Sequence, residues 1–166
     1  MCRYNKKVIP SLRLGKHLTK CHPAGNKDQE LPKFVEKEGK HIWRWGDGEY
    51  DWGYPLALDT SIFINNEIYE MASAVDFRSP TSFEINIQGF KDRYNDYAGV
   101  CYPESRFVSI PWNAVTAEIS NPNGLIEPEK FDNMWREGYR IHHESYYNTF
   151  PCSAHYEYEL KFISRS

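Results

Sequence analysis

The sequence predicts an α/β layered domain, and three observations carry that expectation. Segments with alternating apolar side chains take turns along the chain with segments of helical spacing, the pattern that stacks helices on a sheet. The length, 166 residues, suits one domain around one core. Hydrophobic residues make up 40% and charged residues 26%, the balance of an ordinary folded chain without a low-complexity tract.

Taken in order, "VIPSLRLG" at 8–15 reads as the first strand, followed by a loop rich in Pro, Gly, Asn and Lys that runs to about Lys40. Strands recur over 42–45 and in "PLALDTSIFI" at 55–64. A helix follows from Asn65 or Asn66, whose side chain can cap it, with Ile68, Met71, Ala72 and Val75 on one face. Thr81 opens a second helix that buries Phe83, Ile87 and Phe90, and "RFVSIPWN" at 106–113 reads as a strand. After the loop "AEISNPNG", Pro128 begins a third helix where a missing N–H costs nothing. Phe131, Met134 and Trp135 form its apolar stripe, and Gly138 ends it. "AHYEYELKF" at 154–162 alternates as a final strand.

Composition also sets aside several function classes. The net charge of −3, with signs interspersed, gives no footprint for nucleic acid, and the basic run "NKKVIPSLRLGKHLTK" reads as a solvated face. No apolar run approaches the roughly 20 residues of a membrane span, and the amino end has no signal-peptide core. A soluble cytoplasmic protein is expected. Cysteines 2, 21, 101 and 152 form no Cys-x-x-Cys pair and are expected to be reduced structural thiols. The neighbours Cys21 and His22, or His142 and His143, point in different directions and make poor chelates.

Aromatic residues, at 16%, are the compositional outlier. They concentrate in "HIWRWGDGEYDWGYP", where Trp43, Trp45, Tyr50, Trp52 and Tyr54 interleave with Asp47, Glu49 and Asp51. Ring faces cover the apolar side of a sugar and carboxylates accept from its hydroxyls, so Trp45, Trp52, Tyr54 and Asp51 are candidate saccharide-binding residues. A core strand followed by a Gly-rich turn explains the same letters.

"FRSPTSFEINIQGF" holds the other ambiguity. Thr81 followed three residues later by Glu84 is a capping-box signature, in which both side chains satisfy free backbone donors at a helix start. A carboxylate placed there can equally serve as a general base.

Four blocks, in this order, resemble the GT-A, nucleotide-diphospho-sugar transferase type of bacterial and viral glycosyltransferase: "SLRLGKHLTKCHP"; "WGDGEYDWGYPLALDTSIFINNEI" with "DFRSPTSFE"; "SRFVSIPWNAV"; and "FDNMWREGYRIHHESYYNTFPCSAHYEYELKF". The resemblance implies a partial, Rossmann-like three-layer α/β/α domain with a mixed sheet, spanning 1–166 as one unit. It implies sugar transfer from a nucleotide-sugar donor to a saccharide acceptor. In the family an Asp-x-Asp type motif holds a divalent metal, Mn or Mg, before the strand matched by "SLRLG", whereas "MCRYNKKVIP" has no acidic residue. The expectation is therefore the acceptor-side part, with metal and donor bound only in a complete enzyme. The alternative is a carbohydrate-binding or structural remnant without catalysis.

The resemblance also assigns residues. Glu84 matches the carboxylate that deprotonates the acceptor hydroxyl in inverting members, and Asp59, in "LALDTSIF", matches a second catalytic position, though Thr60 stands where relatives commonly have Gly. Asn113 falls near a carboxy-terminal metal ligand that is His in many members, and His155 matches a family position that a structural histidine would also fill.

Overall fold

A computed structural model describes residues 7–113 and 124–165. Cys2 and all but the last residue of the loop read at 117–124 lie outside them. The elements in chain order are β1 (Val8–Pro10), β2 (Lys20–Cys21), β3 (Lys27–Asp28), β4 (Val35–Lys37), β5 (Lys40–Arg44), α1 (Asn65–Ala74), α2 (Pro80–Ile87), β6 (Ala98–Cys101), α3 (Pro128–Arg136), β7 (Tyr139–Ile141) and β8 (Phe162–Ser164). Short 3-10 turns fill the gaps, notably Trp45–Asp47, Tyr50–Gly53 and Gln88–Tyr94.

The chain mixes helices with a mixed sheet of four strands, ordered β1-β6-β5-β4, in which only β1 and β6 run parallel. Two small antiparallel pairs, β2 with β3 and β7 with β8, stand apart from it. The register puts Ile9, Gly99 and Trp43 side by side on one face. There they join Met71 of α1 and Ile87 of α2 in the core. Gly99 is required opposite Trp43, since a Cβ there would come to 2.3 Å from the indole ring. On the opposite face the row Val35, Ile42, Val100, Pro10 is less covered, and Val35 is 66% exposed. Among the described residues, this face of the sheet is open at the β4 end.

The tryptophans of β5 and the following turns form the densest part of the core. Trp43 meets Trp45 and Trp52 edge to face, with ring centroids 4.8 and 5.2 Å apart. Trp43 Nε1 donates to the Trp52 carbonyl at 3.1 Å, and Trp52 Nε1 to the Leu18 carbonyl at 3.2 Å. The turns fold back so tightly that a Cβ on Gly48 would sit 2.2 Å from the Trp52 carbonyl oxygen, which accounts for the glycines of "GDGEYDWG".

Four strand expectations shrink. The "VIPSLRLG" strand leaves the sheet after Pro10 and continues as an extended segment, with one bridge from Ser11 to Ser61. "PLALDTSIFI" contributes only that bridge, because Glu84 and Gln88 side chains hold its turns as a loop. "RFVSIPWN" and "AHYEYELKF" meet at a single parallel bridge, Ser109 to His155. The helices fall where the spacing put them, with two corrections: α1 is preceded by Ile64 and has no side-chain cap from Asn65 or Asn66, and Phe90 lies in the 3-10 turn that follows α2.

Candidate functional site

The cap of α2 determines what Glu84 is free to do. Ser79 is the N-cap: its hydroxyl accepts from the Ser82 N–H at 3.0 Å, while the Ser82 hydroxyl accepts from the Ser79 N–H at 3.0 Å. Pro80 occupies the first turn, where its missing donor is harmless. The Thr81–Glu84 capping box is thus corrected: the box forms two residues earlier, between two serines.

Glu84 instead sits in the middle of α2 and reaches into the loop before α1. Its Oε1 accepts from the Tyr54 hydroxyl at 3.1 Å and its Oε2 from the Leu58 N–H at 2.8 Å. One helical turn on, Gln88, the C-cap residue of α2, donates from Nε2 to the Leu56 carbonyl at 3.3 Å, so a side chain of α2 and one of its cap clip the same loop.

That loop closes one side of a cavity of about 430 Å³, whose wall includes Arg13, Asp51, Tyr54, Asp59, Glu84 and His155. Each comes from a different local device. Arg13 lies in the extended segment after β1, held by the Leu12 N–H donating to the Thr60 carbonyl at 3.1 Å and the Arg106 N–H to the Leu12 carbonyl at 2.7 Å. Asp51 belongs to the 3-10 turn Tyr50–Gly53. His155 is fixed by the bridge to Ser109, with the Tyr156 N–H donating to the Ser109 carbonyl at 3.0 Å.

Charge is concentrated here. Arg13, 4% exposed, places its guanidinium 3.3 Å from Asp51 Oδ1 and 3.8 Å from Asp59 Oδ1, and 5.7 Å from the Tyr54 ring centroid. Asp51 is itself buried, and Gln29 braces it from both ends: the amide Nε2 donates to Asp51 Oδ2 at 3.3 Å and Oε1 accepts from the Asp51 N–H at 3.1 Å. Such a charge set survives burial only because its members pair.

Three titratable groups on the wall are neutral. Burial, reinforced by the Glu84 carboxylate, pushes the Tyr54 phenol well up, so it stays a hydrogen-bond donor. Burial and Asp51 push the Cys21 thiol up to about 11, which rules it out as a nucleophile at neutral pH. Burial, then the Arg13 cation, lowers the pKa of His155 and keeps its ring neutral. Its Nδ1 is buried without a partner.

Four of the sequence candidates, Glu84, Asp59, Asp51 and Tyr54, therefore come together on one wall. Trp45 and Trp52 do not: at 2% and 0% exposed they leave no ring face for a ligand, and the expected aromatic sugar platform is corrected to core packing. The cause is the pair of 3-10 turns, which rolls both indoles inward. Asn113 is half-buried and does not line the cavity. Among the described residues no group of three His, Cys, Asp or Glu side chains is placed to hold a metal ion. The divalent metal implied by the resemblance thus finds no fitting donor set there, and no chemical step is drawn through it.

Arg13 was missed as a site residue. Its signal is a charged side chain in the apolar string "SLRLG", which folding can bury only against acids. No described helix is long and apolar enough to cross a membrane. In comparisons with known proteins, no family model, no curated protein and no solved structure matches this chain.

Proposed function

We propose that the cavity binds a saccharide acceptor and that the chain carries the acceptor side of a GT-A-like glycosyl transfer, in which a sugar moves from a nucleotide-sugar donor to that acceptor. One observation carries the reading: Glu84 is released from helix capping by Ser79 and Ser82, and its carboxylate stands on the cavity wall among Asp51, Asp59 and Arg13. In the reaction an acceptor hydroxyl gives its proton to Glu84 as its oxygen bonds to the anomeric carbon and the nucleoside diphosphate leaves. Leu58 N–H and Tyr54 hydroxyl orient the carboxylate, and Asp59, with its side chain about a third exposed, accepts from a second ligand hydroxyl.

A non-catalytic saccharide site is the second reading, and it too has a specific support. Both Glu84 oxygens already accept a hydrogen bond, so the carboxylate can also be a brace for the loop. Transfer assays with a panel of nucleotide-sugars, manganese or magnesium, and simple saccharide acceptors separate the two. The enzyme reading predicts a transferred product and a loss of about 100-fold or more in turnover for Glu84→Gln, the usual worth of a positioned base. Saccharide binding without product favours the second reading, and neither binding nor product defeats both.

A further inference from the structure

Resting on the saccharide reading of this cavity, we propose that its ligand is a sugar that is uncharged or bears an ammonium group, and that sugars carrying a carboxylate are excluded. Three carboxylates, Asp51, Asp59 and Glu84, share the wall with one guanidinium, Arg13. That guanidinium is already flanked by Asp51 Oδ1 at 3.3 Å and Asp59 Oδ1 at 3.8 Å. A ligand carboxylate approaching Arg13 would meet these two acids first, at close range in a partly desolvated site where like charges repel strongly.

Among the described residues that line the cavity, no second cation relieves this. His155 is held neutral by burial and by Arg13, and the Cys21 thiol and Tyr54 phenol carry no positive charge in any state. Hydroxyl groups, by contrast, suit the polar part of the wall. They donate to Asp59 and Glu84, and they accept from the fork of Arg13 N–H donors that two acid contacts do not exhaust. An ammonium group adds charge-assisted bonds to the same carboxylates. Selection against the acid comes from repulsion built into the wall, the usual source of strong discrimination between ligands of one shape.

Matched glycosides differing only at the last ring substituent provide the test: a methyl 6-amino-6-deoxyhexoside, the parent methyl hexoside and the methyl hexuronide, each in gluco, galacto and manno series. Titration followed by protein NMR on the full chain should rank them amine, parent, acid. Each step should be about tenfold, the scale on which charge-assisted hydrogen bonds exceed neutral ones. Raising the salt concentration should compress the spread, and so should Asp59→Asn. Hexuronide binding equal to or tighter than the parent overturns the selection while leaving the saccharide site standing. If no member of any series binds, the saccharide reading falls and the selection with it.

Discussion

Trp43, Trp45 and Trp52 and the acids Asp51 and Asp59 are near neighbours in sequence, yet they occupy opposite environments. The tryptophans are at most 4% exposed, and Trp43 and Trp52 spend their N–H groups on backbone carbonyls. Asp51 and Asp59 point the other way, to a guanidinium and a cavity of about 430 Å³. The difference teaches that interleaved aromatic and acidic letters need not make one mixed surface. The strand and two 3-10 turns put the large rings in the core, while Asp51 in the second turn and Asp59 in the loop beyond it face the cavity.

The comparison breaks first at Trp52. Trp52→Ala should cost about 3–5 kcal/mol, the range for truncating a buried aromatic, measured by denaturant unfolding. Asp59→Asn, a third exposed, 3.8 Å from the Arg13 guanidinium and accepting from the Thr60 hydroxyl at 3.2 Å, should stay within about 1 kcal/mol of wild type. Equal costs would show that the two groups belong to one structural unit after all. Gly99→Ala tests the core from the other side. Its new Cβ would press on the Trp43 ring, and overpacking of that kind should cost about 1–3 kcal/mol in the same measurement.

Acid should loosen the buried side too. Burial lowers the pKa of His155, His17 and His41, aided at His155 by Arg13 and at His41 by Lys16. Each is therefore neutral when folded and takes a proton more readily once unfolded. Their stabilisation is complete above the ordinary histidine pKa of about 6.5 and is lost as pH falls below it, by at most about 1.4 kcal/mol per pH unit per group. Melting temperature should thus drop between pH 7.5 and 5.5. The Arg140–Glu144 pair does not contribute in that window, since its carboxylate is held down at about 2, mainly by the Arg140 hydrogen bond. A flat melting profile would mean that these rings are hydrated.

The smallest effects separate the serine cap from its sequence look-alike. Ser79→Ala should cost about 1 kcal/mol of stability. Thr81→Ala, one residue past Pro80 and outside the box, should change it by less than about 0.5 kcal/mol. The reverse order would restore the Thr81–Glu84 box and return Glu84 to a structural role.

Helices were the legible part of the fold because their apolar spacing is long and their ends are chemical, as at the start at Pro128 and the stop at Gly138. The strands at 55–64 and 106–113 were not, since their apolar letters serve a loop and an irregular crossing held by long-range bonds from Glu84, Gln88 and Ala154. At the site, Glu84, Asp51, Asp59 and Tyr54 could be read because a resemblance and local chemistry pointed at them. Arg13 could not, because its burial depends on acids nearly 40 and 50 residues away in sequence. The capping box went to the wrong pair because Ser79 and Thr81 both satisfy the rule for the first position, and only Pro80 settles which one precedes the helix.

The central claim is that the Glu84 carboxylate serves the cavity and not the helix start, and Glu84→Gln tests it most directly. Glutamine can keep both braces, its amide oxygen accepting from the Leu58 N–H and its NH2 donating to a Tyr54 hydroxyl turned to accept. Thermal melting and saccharide affinity should therefore be read on the same sample. The account predicts a melting temperature within about 2 °C of wild type and affinity weakened about tenfold, from loss of a charged acceptor. A variant that melts far lower while its folded fraction binds saccharide as wild type does would contradict it.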